Sequence, residues 1–188
     1  MDDARTDDDL MLAYARGEAR AFEVLYERYR QPLYRYLLHA LGDRAAADDL
    51  YQDVWSRIID ARARFRKSRG FKRYAFRIAH NRLVDHWRAL ERQGSSGEFD
   101  ELRLAAPSEQ QPDSASARDQ QAQQLRQALM QLSTEQREAF LLQQEAGLSL
   151  ADIAAHSGVG RETVKSRLRY AVKRLRNLLG PGPEAAGP

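Results

Sequence analysis

The stretch LADIAAHSGVGRETVKSRL, residues 150–168, decides the fold of the C-terminal part of the chain. Its spacing is typical of a helix-turn-helix, in which two short helices cross at a tight turn. Gly158 is predicted to supply the positive φ of the turn, and Ala154 is small where the two helices approach each other. Three apolar side chains would fill the core between the helices: Ile153, Val159 and Val164.

The second helix of this motif is strongly basic. Residues 161–176 carry seven bases and one acid, which is the charge that binding to a phosphate backbone needs. The helix would lie in the major groove of duplex DNA with its polar side chains toward base edges and phosphates. The candidates for these contacts are Arg161, Glu162, Thr163, Lys165, Ser166 and Arg169. The alternative is that the two helices pack together for structural reasons only.

Two more helices are predicted just upstream. A glutamine-rich helix covers about residues 119–132. The next helix covers residues 134–146, because Ser133 with Gln136 forms an S-x-x-Q capping signature at its start and Gly147 follows its end.

Helical periodicity disappears between residues 93 and 118. The segment QGSSGEFDELRLAAPSEQQPDSASAR has five acids against two bases and the Gly, Ser and Pro content of a linker. We therefore expect an all-α protein with two small helical domains, residues 1–92 and 119–180, joined by a flexible linker. A disordered tail is predicted for residues 181–188.

A second basic stretch, RARFRKSRGFKRYAFRIAHNRLVDHWRALER, covers residues 62–92. It holds 11 Lys and Arg against 2 acids, a net +9 in a chain whose formal net charge is +3. Five aromatic residues are interleaved with these cations: Phe65, Phe71, Tyr74, Phe76 and Trp87. Cations attract any polyanion, and flat rings offer surfaces on which unpaired bases stack. The stretch indicates binding to single-stranded or melted nucleic acid; a solvated surface, or contact with acidic lipid or protein, is the alternative.

The part of this stretch from about Lys72 to Gly94 is predicted to be one helix with two faces. The apolar face would hold Ala75, Ile78, Ala79, Leu83 and Leu90. The polar face would hold Arg77, Asn81, Val84, Asp85 and Arg88. Asn and Arg side chains suit base edges, whereas Asp85 would serve by orienting a neighbour such as Arg88.

The N-terminal part of the chain has the opposite charge. Residues 1–60 contain 13 acids and 8 bases, a net −5, which suits a basic protein partner better than DNA. A short helix is predicted to end near Gly17. The pattern from Phe22 to Leu41 predicts either one helix kinked at Pro32 or two abutting helices.

A further helix is predicted over residues 44–59, with a core stripe and a second side. The core stripe comprises Ala47, Leu50, Tyr51, Val54 and Ile58. The other side holds Asp48, Gln52, Trp55 and Ile59. An acid, an amide and an indole on an outward side are typical of a protein-docking face. The alternative is that Trp55 closes the edge of the core.

Composition excludes several classes of site and protein. The chain has no cysteine, so disulfides and cysteine-ligated zinc are excluded, and its four histidines lack zinc-helix spacing. No metal or cofactor is expected. No nucleophile elbow or phosphate loop occurs, so an enzyme is not expected either. No apolar run approaches the roughly 20 residues that cross a bilayer, and the acidic N-terminus is unlike a signal peptide, which predicts a cytoplasmic protein without membrane insertion.

The chain has an N-terminal helical domain that ends in a basic helix, then an acidic linker, then a C-terminal helix-turn-helix. This order of parts resembles bacterial sigma factors of the extracytoplasmic-function (ECF) group of the sigma-70 superfamily. Four segments carry the resemblance: AADDLYQDVW (46–55), FKRYAFRIAHNRLVDHWR (71–88), LSTEQREAFLL (132–142) and SLADIAAHSGVGRETVKSRLRYAVKRLR (149–176). The resemblance implies a factor that binds core RNA polymerase and directs promoter-specific transcription initiation without catalysing it. It also implies contact with the β flap of the polymerase and control by an anti-sigma factor.

The resemblance assigns a role to each part. The first segment would dock on the clamp helices of the polymerase β′ subunit through Asp48, Asp49, Gln52 and Trp55. The second would open the minus-10 promoter element and capture a flipped base, with Asn81 as the leading base contact. Its other candidates are Arg66, Lys67, Arg69, Lys72, Arg73, Tyr74, Arg77 and Arg88. The helix-turn-helix would read the minus-35 element as duplex. The competing hypothesis is an ordinary helix-turn-helix regulator whose N-terminal domain senses a ligand or dimerises.

Overall fold

The computed structural model describes residues 3–67, 70–94 and 117–180, with the side chains of residues 93, 94, 117 and 118 left out. These residues form eight α-helices and no strand, so the prediction of an all-α fold is confirmed. The helices are α1 (Asp7–Ala15), α2 (Ala19–Leu41), α3 (Arg44–Asp60), α4 (Phe71–Gly94), α5 (Ala117–Met130), α6 (Thr134–Gln144), α7 (Leu150–Ser157) and α8 (Arg161–Leu179). Residues 95–116 of the predicted linker and the predicted tail, 181–188, lie outside the described residues.

Side chains that cap the first turn fix the starts of four helices. Thr6, Asp43, Ser133 and Ser149 each precede a helix, and each side chain accepts a hydrogen bond from the backbone N–H three residues later. Such a cap satisfies one of the N–H groups that have no partner inside the helix. The S-x-x-Q signature that predicted the start of α6 is therefore confirmed.

Helix α2 lies at the centre of the N-terminal domain, which comprises α1–α4. It is one continuous helix through Pro32, which decides between the two predicted alternatives. Leu33, Tyr36 and Leu37 are fully buried, and the Tyr36 ring packs edge-on at 5.5 Å from that of Phe76 in α4. Burying apolar side chains such as these stabilises this half of the molecule.

Three consecutive acids fasten α1 to the rest of this domain. Asp7 accepts hydrogen bonds from Arg28 at 2.7 Å and from the Tyr29 hydroxyl. Asp8 accepts one from the backbone N–H of Phe71, the first residue of α4. Asp9 forms an ion pair with Lys67 at 2.7 Å. The run therefore holds the start of α4 and the loop before it.

The predicted apolar face of α4 is correct except at its end. Ala75, Ala79 and Leu83 are fully buried, whereas Leu90 is 46% exposed. The prediction for Leu90 is wrong, because among the described side chains of α4 none after Leu83 is buried in the core.

Helices α5–α8 form the C-terminal domain, and α7 and α8 form the predicted helix-turn-helix. Ile153 and Val164 are fully buried between these helices, and Val159 is half-buried. Gly158 ends α7 with φ of 66° and ψ of 27°, the left-handed conformation that the turn was predicted to need.

Gly158→Ala is expected to lower the free energy of unfolding by about 1–2 kcal/mol, the cost of a left-handed backbone for a residue with a Cβ. An added Cβ would meet no heavy atom of the described part of the chain within 4 Å, so the cost comes from the backbone conformation. Urea unfolding of the variant and of the wild-type chain measures this change in the free energy of unfolding. Gly160→Ser is the matched control, because Gly160 has φ of −72° and equally open surroundings. Equal stabilities for the two variants would contradict the turn geometry.

Candidate nucleic-acid and protein interfaces

The polar face of α4 is the first candidate site. Arg77, Asn81 and Arg88 are all exposed, as side chains that contact DNA must be. Asp85 accepts a hydrogen bond from Arg82 at 2.9 Å, so the neighbouring arginine that it orients is Arg82 and not Arg88, which was given as the example. Arg82 also donates to Asp53 in α3 and thereby joins the two helices. Sequence reasoning missed Arg82, whose signal was its i,i+3 spacing from Asp85.

The start of α4 and the preceding loop carry the other cations of this surface. Arg66, Lys67, Lys72 and Arg73 are exposed, and Arg69 lies outside the described residues. The hydrogen bond from Lys67 holds the pKa of the Asp9 carboxyl below its usual value and raises the pKa of the Lys67 ammonium. This surface is therefore cationic but partly neutralised by acids of the same chain.

The aromatic residues of the basic stretch belong mostly to the core. Phe65, Phe71 and Phe76 are each at most 3% exposed, so the expectation that they offer surfaces for base stacking is wrong. Tyr74 is half-buried with its ring 5.4 Å from that of Phe65. Its hydroxyl is buried and has no hydrogen-bond partner among the described residues, and burial raises the pKa of the phenol. Its predicted contact with DNA stays a prediction.

The second side of α3 divides into an exposed part and a buried part. Asp49 and Gln52 are exposed, while Asp48 is half-buried and accepts a hydrogen bond from the Tyr34 hydroxyl at 2.8 Å. Burial and the bond to Asp48 raise the pKa of the Tyr34 phenol. An exposed carboxylate beside an exposed amide can accept hydrogen bonds from a basic partner.

Trp55 does not face outward. It is 5% exposed, and its ring packs at 5.6 Å from that of Phe22 and at 4.9 Å from that of Tyr26. The expectation of an outward indole is wrong, because two aromatic rings of α2 cover this side of α3. The alternative, that Trp55 closes the edge of the core, describes the structure.

Helix α8 presents the third candidate site. Of its predicted contact residues, Ser166 is half-buried. The other five are exposed: Arg161, Glu162, Thr163, Lys165 and Arg169. Sequence reasoning missed Tyr170, which is 53% exposed and has the Arg169 guanidinium 5.3 Å from its ring centre. A cation held over an exposed ring forms a surface that suits phosphate and sugar.

Among the described residues, no group of three or more His, Cys, Asp or Glu side chains could hold a metal ion. In the same part of the chain, no helix combines the length and apolarity that crossing a bilayer requires.

Both domains match known family models. The model described as sigma-70 region 2 matches residues 25–93, which include α3 and α4 up to Gln93. The model described as sigma-70, region 4 matches residues 122–175, which include the helix-turn-helix. The two matches together cover more than half of the chain.

Individual relatives cover nearly the whole chain. The ECF RNA polymerase sigma factor SigL of Mycobacterium tuberculosis is 32% identical over 171 residues, 88% of this chain and 92% of the relative. SigM of the same organism is 30% identical, over 94% of this chain and 86% of its own length. The solved structure of the sigma factor RpoE from Bartonella quintana, in complex with the anti-sigma factor NepR, has a TM-score of 0.67 and 29% identity, covering 84% of this chain and 96% of that one. These matches establish that the chain belongs to the ECF RNA polymerase sigma factors of the sigma-70 family.

Proposed function

We propose that the chain docks on the β′ clamp helices of core RNA polymerase through the exposed part of α3 and reads promoters through α4 and α8. The observation that carries this division is the separation of charge on adjacent helices. Asp49 and Gln52 are exposed on α3, whereas Arg77, Asn81 and Arg88 are exposed on α4. Carboxylates repel a phosphate backbone and attract a basic protein surface, so the two faces suit different partners.

The exposed face of α4 is suited to the minus-10 element as a single strand. Arginines supply charge for the phosphate backbone, and the Asn81 amide can donate to and accept from an unpaired base edge. Because unstacking a base costs a few kcal/mol, a face that holds the displaced base favours the melted state. The catalytic work of transcription stays with the polymerase.

Helix α8 is suited to the minus-35 element as duplex. Its exposed side chains lie on the second helix of a helix-turn-helix, which enters the major groove in proteins of this architecture. Lys165 and Arg169 would supply phosphate and base contacts. Core polymerase, promoter DNA and the β flap are thus the proposed partners, and the bacterial cytoplasm is the proposed location.

Run-off transcription tests the proposal. Core enzyme with this chain is expected to initiate at discrete sites on genomic fragments, whereas core enzyme alone is not. A gel shift with and without core enzyme distinguishes this proposal from the competing hypothesis of a helix-turn-helix regulator. Tight sequence-specific duplex binding by the free chain, with no initiation in the presence of core, would favour the regulator.

Asn81→Ala is expected to impair open-complex formation while closed-complex binding is retained. The side chain is exposed on α4, so its removal should leave the fold unchanged and remove one or two hydrogen bonds to a base, about 1–3 kcal/mol. Permanganate footprinting on the holoenzyme complex measures strand opening. A footprint equal to that of the wild-type chain would contradict the base-capture role of Asn81.

An anti-sigma partner is also proposed. The RpoE structure from Bartonella quintana contains the anti-sigma factor NepR. A protein of this kind would control the chain by covering its polymerase-binding faces. Co-purification of a partner that inhibits run-off transcription would support this form of regulation.

A further inference from the structure

Helix α1 precedes the part of the chain that the region 2 family model matches, which begins at residue 25. Two of its side chains contact the surface proposed to read the minus-10 strand. Asp8 reaches the first residue of α4, and Asp9 reaches Lys67 in the loop before it. Two apolar side chains anchor α1 in the core of the domain, and both are fully buried: Leu10 and Met11. The acids of α1 are therefore held in place beside that surface.

Asp8 caps α4 from another helix. Four other helices are capped by the residue just before them, whereas Gly70, which precedes α4, has no side chain. Gly70 has φ of 70°, a left-handed conformation that glycine adopts at no steric cost. The Asp8 carboxylate supplies an acceptor instead, because it takes a hydrogen bond from the Phe71 N–H, 63 positions along the chain. The cap at the start of α4 thus comes from α1 and not from the sequence next to α4.

Asp9 makes the second contact of α1 with this surface. Its carboxylate pairs with the Lys67 ammonium at 2.7 Å and accepts a hydrogen bond from the Thr6 hydroxyl at 2.7 Å. The Lys67 side chain is 59% exposed and that of Asp9 is 42% exposed, and ion pairs with such exposure contribute little to stability. The half-buried bond from the Phe71 backbone to Asp8 is therefore the stronger of the two contacts.

Phe71 is fixed through its side chain as well as through its backbone. Its ring is 1% exposed and lies edge-on to that of Tyr29 in α2, with 5.0 Å between the ring centres. The Tyr29 hydroxyl donates a hydrogen bond to Asp7, and Arg28 donates to the same carboxylate at 2.7 Å. Asp7 thus joins α1 to α2, and the adjacent Asp8 joins α1 to α4.

The first turn of α4 carries two of the cations assigned to the minus-10 strand. Lys72 and Arg73 directly follow Phe71, and both are exposed. A segment that is already ordered loses less conformational entropy on binding than one that the bound strand must order. Fixing the Phe71 backbone therefore prepares this turn, and the loop before it, to receive a displaced strand.

We propose that Asp8 is a positioning residue for promoter opening, which holds the start of α4, through the Phe71 N–H, in the conformation that receives the melted minus-10 strand. The identity of that strand rests on the proposed function. Electrostatics alone gives the opposite expectation, because removing an acid near a DNA-binding surface reduces the repulsion of phosphate. The sign of the effect therefore separates a positioning role of this carboxylate from a purely electrostatic one.

Three variants test the proposal. Asp8→Ala removes both the acceptor and the charge. Asp8→Asn removes the charge but keeps an amide oxygen that can accept the hydrogen bond from the Phe71 N–H. Glu23→Ala is the matched control, because it removes an exposed acid of α2 with the same change in net charge.

Backbone amide hydrogen exchange of the free chain, resolved by NMR, is the first measurement. Exchange of the Phe71 N–H is expected to be about fivefold faster in Asp8→Ala, the factor that corresponds to the loss of one helix cap. Asp8→Asn and Glu23→Ala are expected to exchange this hydrogen at the wild-type rate. Unchanged exchange in α2 and α8 shows that each variant remains folded.

Strand opening by the holoenzyme is the second measurement, on a promoter fragment that run-off transcription identifies. Permanganate footprinting is expected to show opening about fivefold slower for Asp8→Ala, because the competent conformation is populated that much less. Asp8→Asn and Glu23→Ala are expected to open the strand at the wild-type rate or faster. Equal slowing in Asp8→Asn and Asp8→Ala would assign the effect to the charge and overturn the proposal.

Two further outcomes would overturn it. One is Phe71 exchange that is the same in Asp8→Ala as in the wild-type chain. The other is faster exchange together with strand opening at or above the wild-type rate, since the cap would then stabilise α4 without serving promoter opening. If the wild-type chain failed to initiate with core enzyme while Asp8→Ala still exchanged faster, the proposed function would fall, and the positioning role with it, but the cap itself would stand.

Discussion

Replacing Trp55 by alanine is expected to lower the free energy of unfolding by about 3–5 kcal/mol, as large-to-small changes of buried aromatic residues do. The indole lies among the rings of Phe22, Tyr26 and Tyr51, all within 6.3 Å between ring centres. Removing the indole leaves a cavity between α2 and α3. It also removes ring–ring contacts, which stabilise the fold beyond the effect of the apolar area that they bury. Urea unfolding followed by far-ultraviolet circular dichroism measures the loss.

The matched control is Trp55→Phe, which keeps an aromatic ring at this buried position and is expected to lose much less stability. A loss below about 1 kcal/mol for Trp55→Ala would contradict the buried placement. The result matters for the docking proposal, because reduced transcription by Trp55→Ala would report unfolding of the N-terminal domain and not a lost contact with polymerase.

Asp49→Lys is expected to weaken binding to core polymerase by at least about 30-fold. Reversing one charge of a close interfacial pair costs 2 kcal/mol or more, and about 1.4 kcal/mol corresponds to a factor of ten. The side chain is exposed, so the free energy of unfolding should change by no more than about 0.5 kcal/mol. Fluorescence anisotropy of labelled chain titrated with core enzyme measures the affinity.

Asp60→Lys is the control for Asp49→Lys. Asp60 is exposed on the same helix and gives the same change in net charge, three turns away from Asp49. If Asp49→Lys weakened binding only by reducing long-range attraction to the polymerase, Asp60→Lys would weaken binding to the same extent. Core affinity that is unchanged in Asp49→Lys would contradict docking through the exposed part of α3.

Much of the fold follows from local sequence signals. Capping residues and glycines placed the starts and ends of helices, as Ser133 and Gly158 illustrate. These signals act within one turn of backbone, so a sequence is enough to read them. Helical spacing also identified the buried side of α4 as far as Leu83.

Contacts between distant segments could not be derived in this way. Trp55 is 60° from Ile58 on the helical wheel, and only the packing of Phe22 and Tyr26 decides that this direction is covered. His80 and Glu138 are 58 positions apart in the chain, and nothing local couples them. Aromatic residues near cations, such as Phe71, suggested stacking on bases because composition does not distinguish a buried ring from an exposed one.

The link between α3 and α4 has a mechanical consequence. Asp53 accepts hydrogen bonds from Arg57 of its own helix and from Arg82 of α4, and Arg82 also reaches Asp85. The proposed docking face on α3 and Asn81, the proposed base contact on α4, thus lie on two helices that are linked to each other. If α3 docks on the polymerase clamp as proposed, the same contact also orients Asn81 toward the DNA, without a separate alignment step. Substitutions on the outer face of α4 can then change which bases are preferred without disturbing that orientation.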